Sequence, residues 1–400
     1  MSSFLLPRYP YLVKASDIIP SACSDQNNWV CVSESLKNFL DDTKEHIEID
    51  VGLWDTFKRY TNPYEYVHTV IPGSKNSVCK LQTVSRAFFK FNEILVDFNL
   101  MEGLENRSLI SFHLAEGPGG FMEATSRARS KYDNANDSII GMTLIDEKNN
   151  SVPGWNKLDS FLKSNNAIKL EFGSTGTGDL LDPDNLRYCF EKYRGQVDII
   201  TGDGGFDFSG DYNNQESQSL SLSIAQLFFA IAIQRKGGHF VLKIFDMFSQ
   251  LSVEIALLLS SVYTEVYVSK PLTSRQANSE RYLVCKGFRI SDTSQYAMKF
   301  YSILSQMRAL KSTPHSILDV KISRFFKDRI YDINATLGQQ QIENIKLTLD
   351  LMRTRDSSQL ETLRKNGIHR CVSYCQKYDL LHSRTTYGQN IFLPKTSPTI

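Results

Sequence analysis

Long apolar runs are missing from this 400-residue chain; the longest notable one, Leu227–Ile233, has seven residues, far from the ~18 of a membrane span. The N-terminus lacks a basic segment followed by an apolar stretch, which predicts no secretory leader, and no membrane association is expected. Neither charge sign dominates. The 45 Lys and Arg against 44 Asp and Glu leave +1, which excludes a histone-like polycation and confines any nucleic-acid site to a local patch. Cysteine is sparse: Cys23, Cys31, Cys79, Cys189, Cys285, Cys371 and Cys375 form no CxxC pair, and the seven His form no pair at ligand spacing. No metal is therefore expected. An odd, scattered set of thiols predicts an intracellular, reducing compartment, cytoplasmic or nuclear, for a chain that is not secreted. Apolar residues at 41% and charged residues at 22% exclude wholesale disorder, collagen and a coiled-coil rod.

The near-neutral total hides an asymmetry: residues 301–400 carry a net +7 and residues 1–300 a net −6. The basic quarter reads as a solvated helical surface or as a module facing RNA or a partner. The middle of the chain alternates strand-like and helix-like segments. Ser108–Ala115, Ser138–Ile145, Ala167–Phe172, Val197–Thr201, His239–Ile244, Glu265–Val268 and Tyr282–Val284 read as strands. Gly119–Lys131, Pro183–Tyr193, Asn213–Lys236 (stopped by Gly237-Gly238) and Ser252–Tyr263 read as helices between them. Such alternation with continuous apolar strands predicts an α/β fold with a mostly parallel, doubly wound sheet. Three segments are expected: a mostly helical N-terminal extension over 1–84, the α/β domain over 85–293, and a helical, basic C-terminal extension over 294–400, with Ile342–Arg355 its best amphipathic stretch. The tail Pro394–Ile400 looks loose, and the sequon Asn149-Asn150-Ser151 has no meaning without a secretory route.

Two features of the α/β segment carry chemistry. Ala115-Glu116-Gly117-Pro118-Gly119-Gly120-Phe121 lies where the first strand turns into its helix, the place where an open α/β sheet binds a cofactor on free helix N–H groups. It is neither GxGxxG nor a P-loop, so a dinucleotide dehydrogenase and an ATPase are disfavoured; the alternative is a tight structural turn. The second feature is a scattered set of charges. Asp203 ends a buried strand inside Gly202-Asp203-Gly204-Gly205, where a carboxylate points into the ligand crevice or merely forms the turn. Lys243 interrupts the apolar strand HFVLKIFD and is there because it is paired, functional, or snorkelling from an edge. Glu280 opens the next strand, functional or paired on the surface with Arg275 or Arg281. Lys90, in Ser85-Arg86-Ala87-Phe88-Phe89-Lys90, reads by itself as a solvated helix position.

Together the segments EGPGGF, GDGGF, GGHFVLKIFD and TSRQANSERYLV, with NPYE (Asn62–Glu65) and SRAFFK upstream, resemble the FtsJ-type (RrmJ-type) ribose 2′-O-methyltransferases. The likeness is strongest to the mRNA cap-specific branch of eukaryotes and large DNA viruses, and it covers roughly residues 58–290. It implies a Rossmann-like methyltransferase fold with a mostly parallel seven-stranded sheet. It also implies a Lys-Asp-Lys-Glu tetrad on Lys90, Asp203, Lys243 and Glu280, with S-adenosylmethionine as the methyl donor. By motif position the donor would touch Ser85, Glu116, Gly117, Pro118, Gly119, Gly120, Phe121, Asp179 and Asp203. The RNA would meet Asn213, Asn214, Gln215 and Asn278.

Glu116 stands where the cap branch usually has a small residue, and Ser85 where asparagine is common. The stretch after the second strand, Ile145-Asp146, does not match the family clearly. Lys58 and Arg59, interleaved with Tyr60, Tyr64 and Tyr66, offer the cations and aromatic faces that a methylated guanine cap requires. Packing in an aromatic helix is their alternative. Lys321, Arg324, Lys327 and Arg329 around Phe325-Phe326 offer an RNA track or a docking helix for capping or transcription machinery. The implied activity is methyl transfer to a ribose 2′-hydroxyl of capped mRNA, most simply at the first transcribed nucleotide. An rRNA or tRNA ribose methyltransferase and a silent relative that binds RNA or a capping partner remain as alternatives.

Overall fold

The computed structural model describes residues 1–21, 32–47, 50–132, 136–146, 154–155, 165–205 and 212–382. Cys23, Cys31, the sequon at 149–151, Phe206 of GDGGF and the tail 394–400 lie outside the described residues. In chain order the strands are β1 (Ser2–Leu5), β2 (Ile110–Leu114), β3 (Ser138–Met142), β4 (Ile168–Glu171), β5 (Val197–Gly202), β6 (Gln234–Phe245), β7 (Tyr263–Lys270) and β8 (Glu280–Phe288). The helices are α1 (Glu34–Glu45), α2 (Val51–Thr61), α3 (Ala87–Asp97), α4 (Gly120–Arg129), α5 (Pro183–Tyr193), α6 (Gln215–Ile233), α7 (Gln250–Val262), α8 (Ser294–Leu310), α9 (Arg324–Thr354) and α10 (Ser357–Lys377).

The chain forms two compact units that cut across the three sequence segments: residues 1–50 with 83–346, and residues 51–82 with 347–400. The first unit holds the sheet, in the order β1-β7-β8-β6-β5-β2-β3-β4. Neighbours from β4 through β3, β2 and β5 to β6 pair in parallel, as the strand–helix rhythm requires. β8 runs antiparallel between β6 and β7. The strand beyond the expected seven is β1, which pairs antiparallel with β7 at the sheet edge. Four residues alternating between half-buried and exposed are too short a pattern to stand out from the N-terminal segment.

From β2 the chain moves outward to β3 and β4; from β5 it moves the other way to β6. Right-handed crossovers in opposite directions set α4 on one face and α6 on the other. The order reverses between β2 and β5, and the crevice at their carboxyl ends is the topological switch point. Helix α6 is long and apolar enough to cross a membrane, but 78% of its apolar window is buried inside the unit, where Phe228 stacks on Phe300 of α8 at 4.0 Å. It ends at Ile233, ahead of Gly237-Gly238 where the sequence predicts its stop. Gln234 has an extended backbone (φ −60°, ψ 138°), and its side-chain amide donates to the carbonyls of Val197 at 3.1 Å and Asp198 at 3.2 Å while accepting from Tyr263 Oη. The glutamine thus satisfies backbone groups in the sheet, and β6 begins with it.

In the second unit, Tyr64 meets the Tyr374 ring of α10 at 5.9 Å, and Thr61 and Thr348 share a hydrogen bond of 2.7 Å. Tyr66 is buried against Gly367, where a Cβ would lie 3.2 Å from the ring.

Candidate active site

The loop after β2 is closed on itself by one carboxyl group. Gly119 takes φ 114°, a left-handed value that suits glycine, and α4 starts at the next residue. Glu116, 4% exposed, turns back so that Oε1 accepts from the N–H of Phe121 at 2.6 Å and of Met122 at 3.0 Å. It caps the helix from inside the loop. Burial nevertheless pushes its carboxyl up to about 8, with the nearby Asp203 charge adding to the rise. Gly120 brings α3 close: a Cβ there would lie 2.3 Å from Ser85 Oγ and 3.0 Å from the Phe88 nitrogen. Ser85 Oγ is buried at this junction without a hydrogen-bond partner in the described residues. Asp179 follows Gly178, which lies against Thr143 just past β3, so that it borders the same crevice. Its carboxylate accepts from the N–H of Leu181 at 2.9 Å.

Across the switch point, Asp203 follows β5. The Lys243 ammonium, on β6, donates to the Asp203 carbonyl at 2.7 Å and lies 3.3 Å from Asp203 Oδ1. Tyr282 Oη donates to the same oxygen at 2.9 Å. The loop is held from α6 by Gln226, whose Oε1 accepts from the Gly204 N–H at 2.9 Å.

The second pair is deeper. Lys90 of α3 and Glu280 at the start of β8 are 6% and 5% exposed and meet at 2.7 Å. Burial lowers the Lys90 ammonium from its ordinary value, and the Glu280 charge opposes that shift. Burial pushes the Glu280 carboxyl up, but the Lys90 and Lys243 charges outweigh it and hold the group well below the usual carboxylate range. Ser274 Oγ donates to Glu280 Oε1 at 2.8 Å. The structure thus brings all four tetrad positions into one cluster: strand register sets Lys243 opposite Tyr282 and Phe245 opposite Glu280. Lys90, which reads as a solvated helix position by itself, is buried here.

The remaining sequence candidates divide. Asn278 lies in the loop before Glu280, where its Oδ1 accepts from the Glu280 N–H at 3.1 Å. Asn213 is half-buried, Asn214 is the exposed cap of α6, and Gln215 is its buried first residue. Lys58 and Arg59 lie on the last turn of α2 in the second unit; Lys58 pairs with Asp55, and Arg59 is exposed. In the basic cluster, Arg329 donates to the Leu5 carbonyl at 3.1 Å with its guanidinium over the Phe4 ring, so it covers the edge strand. Phe325 is 72% exposed.

Sequence reasoning passed over Tyr282, Glu93 and Lys270. The signals were present: Tyr282 is two residues from Glu280 on one strand face, and Glu93 is one helical turn from Lys90. Glu93 accepts from the N–H of Leu272 and of Thr273 and from Thr273 Oγ1; burial pushes its carboxyl up to about 7. Lys270 donates to the carbonyls of Asn278 and Glu280, and burial lowers its ammonium to about 7 against the opposing Glu280 charge.

Residues 83–288, which contain both ion pairs and the glycine loop, match the FtsJ-like methyltransferase family. The chain belongs to that family. Over 300 residues it is 30% identical to the cap-specific mRNA (nucleoside-2′-O-)-methyltransferase 1 of Mus musculus, covering 70% of this chain and 34% of the relative. Over 378 residues it is 26% identical to the cap-specific mRNA (nucleoside-2′-O-)-methyltransferase 2 of Pongo abelii, covering 87% of this chain and 45% of the relative. The chain therefore spans less than half the length of these relatives. A solved Plasmodium falciparum structure, described as a ribosomal RNA methyltransferase, aligns at 18% identity with a TM-score of 0.36 over 51% of this chain and 97% of that one.

The methyl donor of FtsJ-like enzymes is S-adenosylmethionine. The crevice fits such a group: a glycine loop that lets a ligand approach the main chain, Ser85 Oγ beside it with no partner among the described residues, and the Asp203 carboxylate across the switch point.

Proposed function

We propose that this chain transfers a methyl group from S-adenosylmethionine to a ribose 2′-hydroxyl of capped RNA, at the first transcribed nucleotide. The observation that carries the reading is the pair of ion pairs, Lys243–Asp203 and Lys90–Glu280, at the mouth of the glycine loop. Support for capped RNA comes from the relatives, both described as cap-specific mRNA 2′-O-methyltransferases.

S-adenosylmethionine supplies an electrophilic methyl on a sulfonium. A C–S bond breaks, a C–O bond forms, and the hydroxyl proton must leave. A 2′-hydroxyl is a weak nucleophile, so the residues around it must orient it and take that proton. Lys243 orients the hydroxyl, and either its amine in the neutral form or a water takes the proton. Asp203 fixes the Lys243 amine through its carbonyl and carboxylate and faces the donor. Lys90 and Glu280, buried beneath the crevice, act on the site through the charge interaction of Glu280 with Lys243. Ser85, the loop 116–121 and Asp179 would hold the donor, with Glu116 acting through the loop it caps.

In this reading residues 85–293 carry the chemistry. Asn213, Asn214, Gln215 and Asn278 meet the RNA. The basic residues 294–400, with Phe325 exposed between Lys321, Arg324 and Lys327, offer a docking face to capping or transcription machinery. A cytoplasmic or nuclear setting agrees with the reduced thiols of Cys79, Cys189, Cys285, Cys371 and Cys375.

The test is transfer of a labelled methyl to two matched short RNAs, one with an N7-methylguanosine cap and one with a 5′ triphosphate. Label on the capped RNA alone, mapped by nuclease digestion to the first nucleotide, is expected. Equal labelling of both, or label on neither while S-adenosylhomocysteine still binds, would reject cap specificity.

A further inference from the structure

The loop 271–279, which leads into Glu280, has no strand partner among the described residues, and side chains from two helices, together with Lys270 at the end of β7, satisfy its backbone. From α3, Glu93 takes the N–H groups of Leu272 and Thr273 at its start. From α9, Gln341 Nε2 donates to the Ala277 carbonyl at 3.0 Å and lies 3.3 Å from Ser279 Oγ at its end. One residue past Glu280, Arg281 donates through Nη1 to Asn334 Oδ1 of the same helix at 2.7 Å, and through Nη2 to Asp246 at 3.0 Å. Asn334 in turn donates to the Met247 carbonyl at 2.9 Å, just beyond the strand that carries Lys243. Asn334 and Gln341 are two helical turns apart on one face, and they are 0% and 2% exposed.

A helix that only had to fill space would place leucine at these positions, because a buried amide is costly unless its hydrogen bonds are made. Both amides are spent on the backbone and side chains flanking Glu280 and on the end of the Lys243 strand. We propose that Gln341 and Asn334 of α9 are positioning residues for methyl transfer. They fix the chain on both sides of Glu280, so that the carboxylate meets Lys90 and the loop is presented preformed to RNA. This rests on the reading of the site as an RNA methyltransferase, and it gives the first half of the C-terminal extension a task inside the catalytic unit.

Gln341→Met in the full chain keeps the volume and removes the donors. We expect a thermal midpoint lowered by no more than about 2–4 °C and an unchanged S-adenosylhomocysteine affinity. Amide hydrogen exchange over residues 277–280 should be about tenfold faster, and kcat/KM for capped RNA about tenfold lower, as loss of one or two hydrogen bonds implies. Wild-type exchange over 277–280 would overturn the inference whether or not the protein methylates RNA. So would a loss of activity matched by equal losses of thermal midpoint and S-adenosylhomocysteine affinity, since that is general destabilisation. Faster exchange together with a wild type inactive on every RNA would overturn the function and leave the clamp standing. Should Gln341→Met fail to fold, Gln341→Ala is read in the same way.

Discussion

Lys243 Nζ is bonded to both ends of Asp203, to the main-chain carbonyl at 2.7 Å and to the carboxylate at 3.3 Å. The four charged residues thus resolve into two pairs of different kind. Lys243–Asp203 is half-open to the crevice, with side chains 11% and 14% exposed, whereas Lys90–Glu280 is buried at 7% each. The open pair is the one that a substrate can reach. The closed pair is the one whose removal the fold will feel.

Lys243→Ala should therefore abolish methyl transfer, by about a thousandfold or more, the scale of a lost proton acceptor together with lost orientation. Calorimetry should show S-adenosylhomocysteine still bound, since Glu116 closes the loop 116–121 through the Phe121 and Met122 N–H groups. Near-full turnover would remove Lys243 from the chemistry.

Tyr282→Phe deletes a single oxygen. Tyr282 Oη donates to Asp203 Oδ1 at 2.9 Å inside a fully buried ring environment. Hydrogen bonds to charged acceptors contribute about 1.5–3 kcal/mol, so a fall in kcat of about tenfold or more is expected, with KM for RNA little changed. A rise in KM alone would place Tyr282 on the substrate side instead.

For the buried pair, stability and catalysis should separate. Lys90→Met or Glu280→Gln alone leaves a buried charge without its partner, a change that costs about 3–5 kcal/mol. The double variant leaves neither and should regain most of the lost thermal midpoint while remaining inactive. Recovery of activity along with stability would make the pair merely structural.

What the sequence discloses depends on how local the cause is. Helix α5 is legible to the residue, because Asp182 caps it and Pro183 occupies its first position. Asp203 and Lys243 are legible as anomalies, a carboxylate at a strand end and a lysine in an apolar strand. Lys90 is not, since its burial depends on Glu280, which is 190 residues away. The end of α6 was misplaced because a glycine pair is a visible stop signal, whereas the sheet carbonyls that Gln234 serves are not. Helix α9 begins at Arg324, well before the amphipathic stretch at 342–355, and passes through Gly338, where a Cβ would sit 3.0 Å from Leu36 Cδ2. The glycine that argues against a helix in sequence is there for close packing.

Glu116 gives a test that needs no substrate. Burial, with Asp203 nearby, raises its carboxyl to about 8 from an ordinary 4.5. Between those values the folded chain holds a proton that the unfolded chain has released. Stability therefore falls as pH rises from about 4.5 through about 8, and the contribution is fully present below the lower value. Gln at this position keeps an oxygen for the Phe121 and Met122 N–H groups and does not titrate. The thermal midpoint of Glu116→Gln minus that of the wild type should therefore grow steadily from about pH 5 to about pH 8.5. A difference independent of pH would mean that the carboxyl titrates normally. A difference that shrinks as pH rises to about 4.5 and is flat above it would mean that the folded protein prefers the carboxylate, held by the helix N-terminus more strongly than burial opposes it.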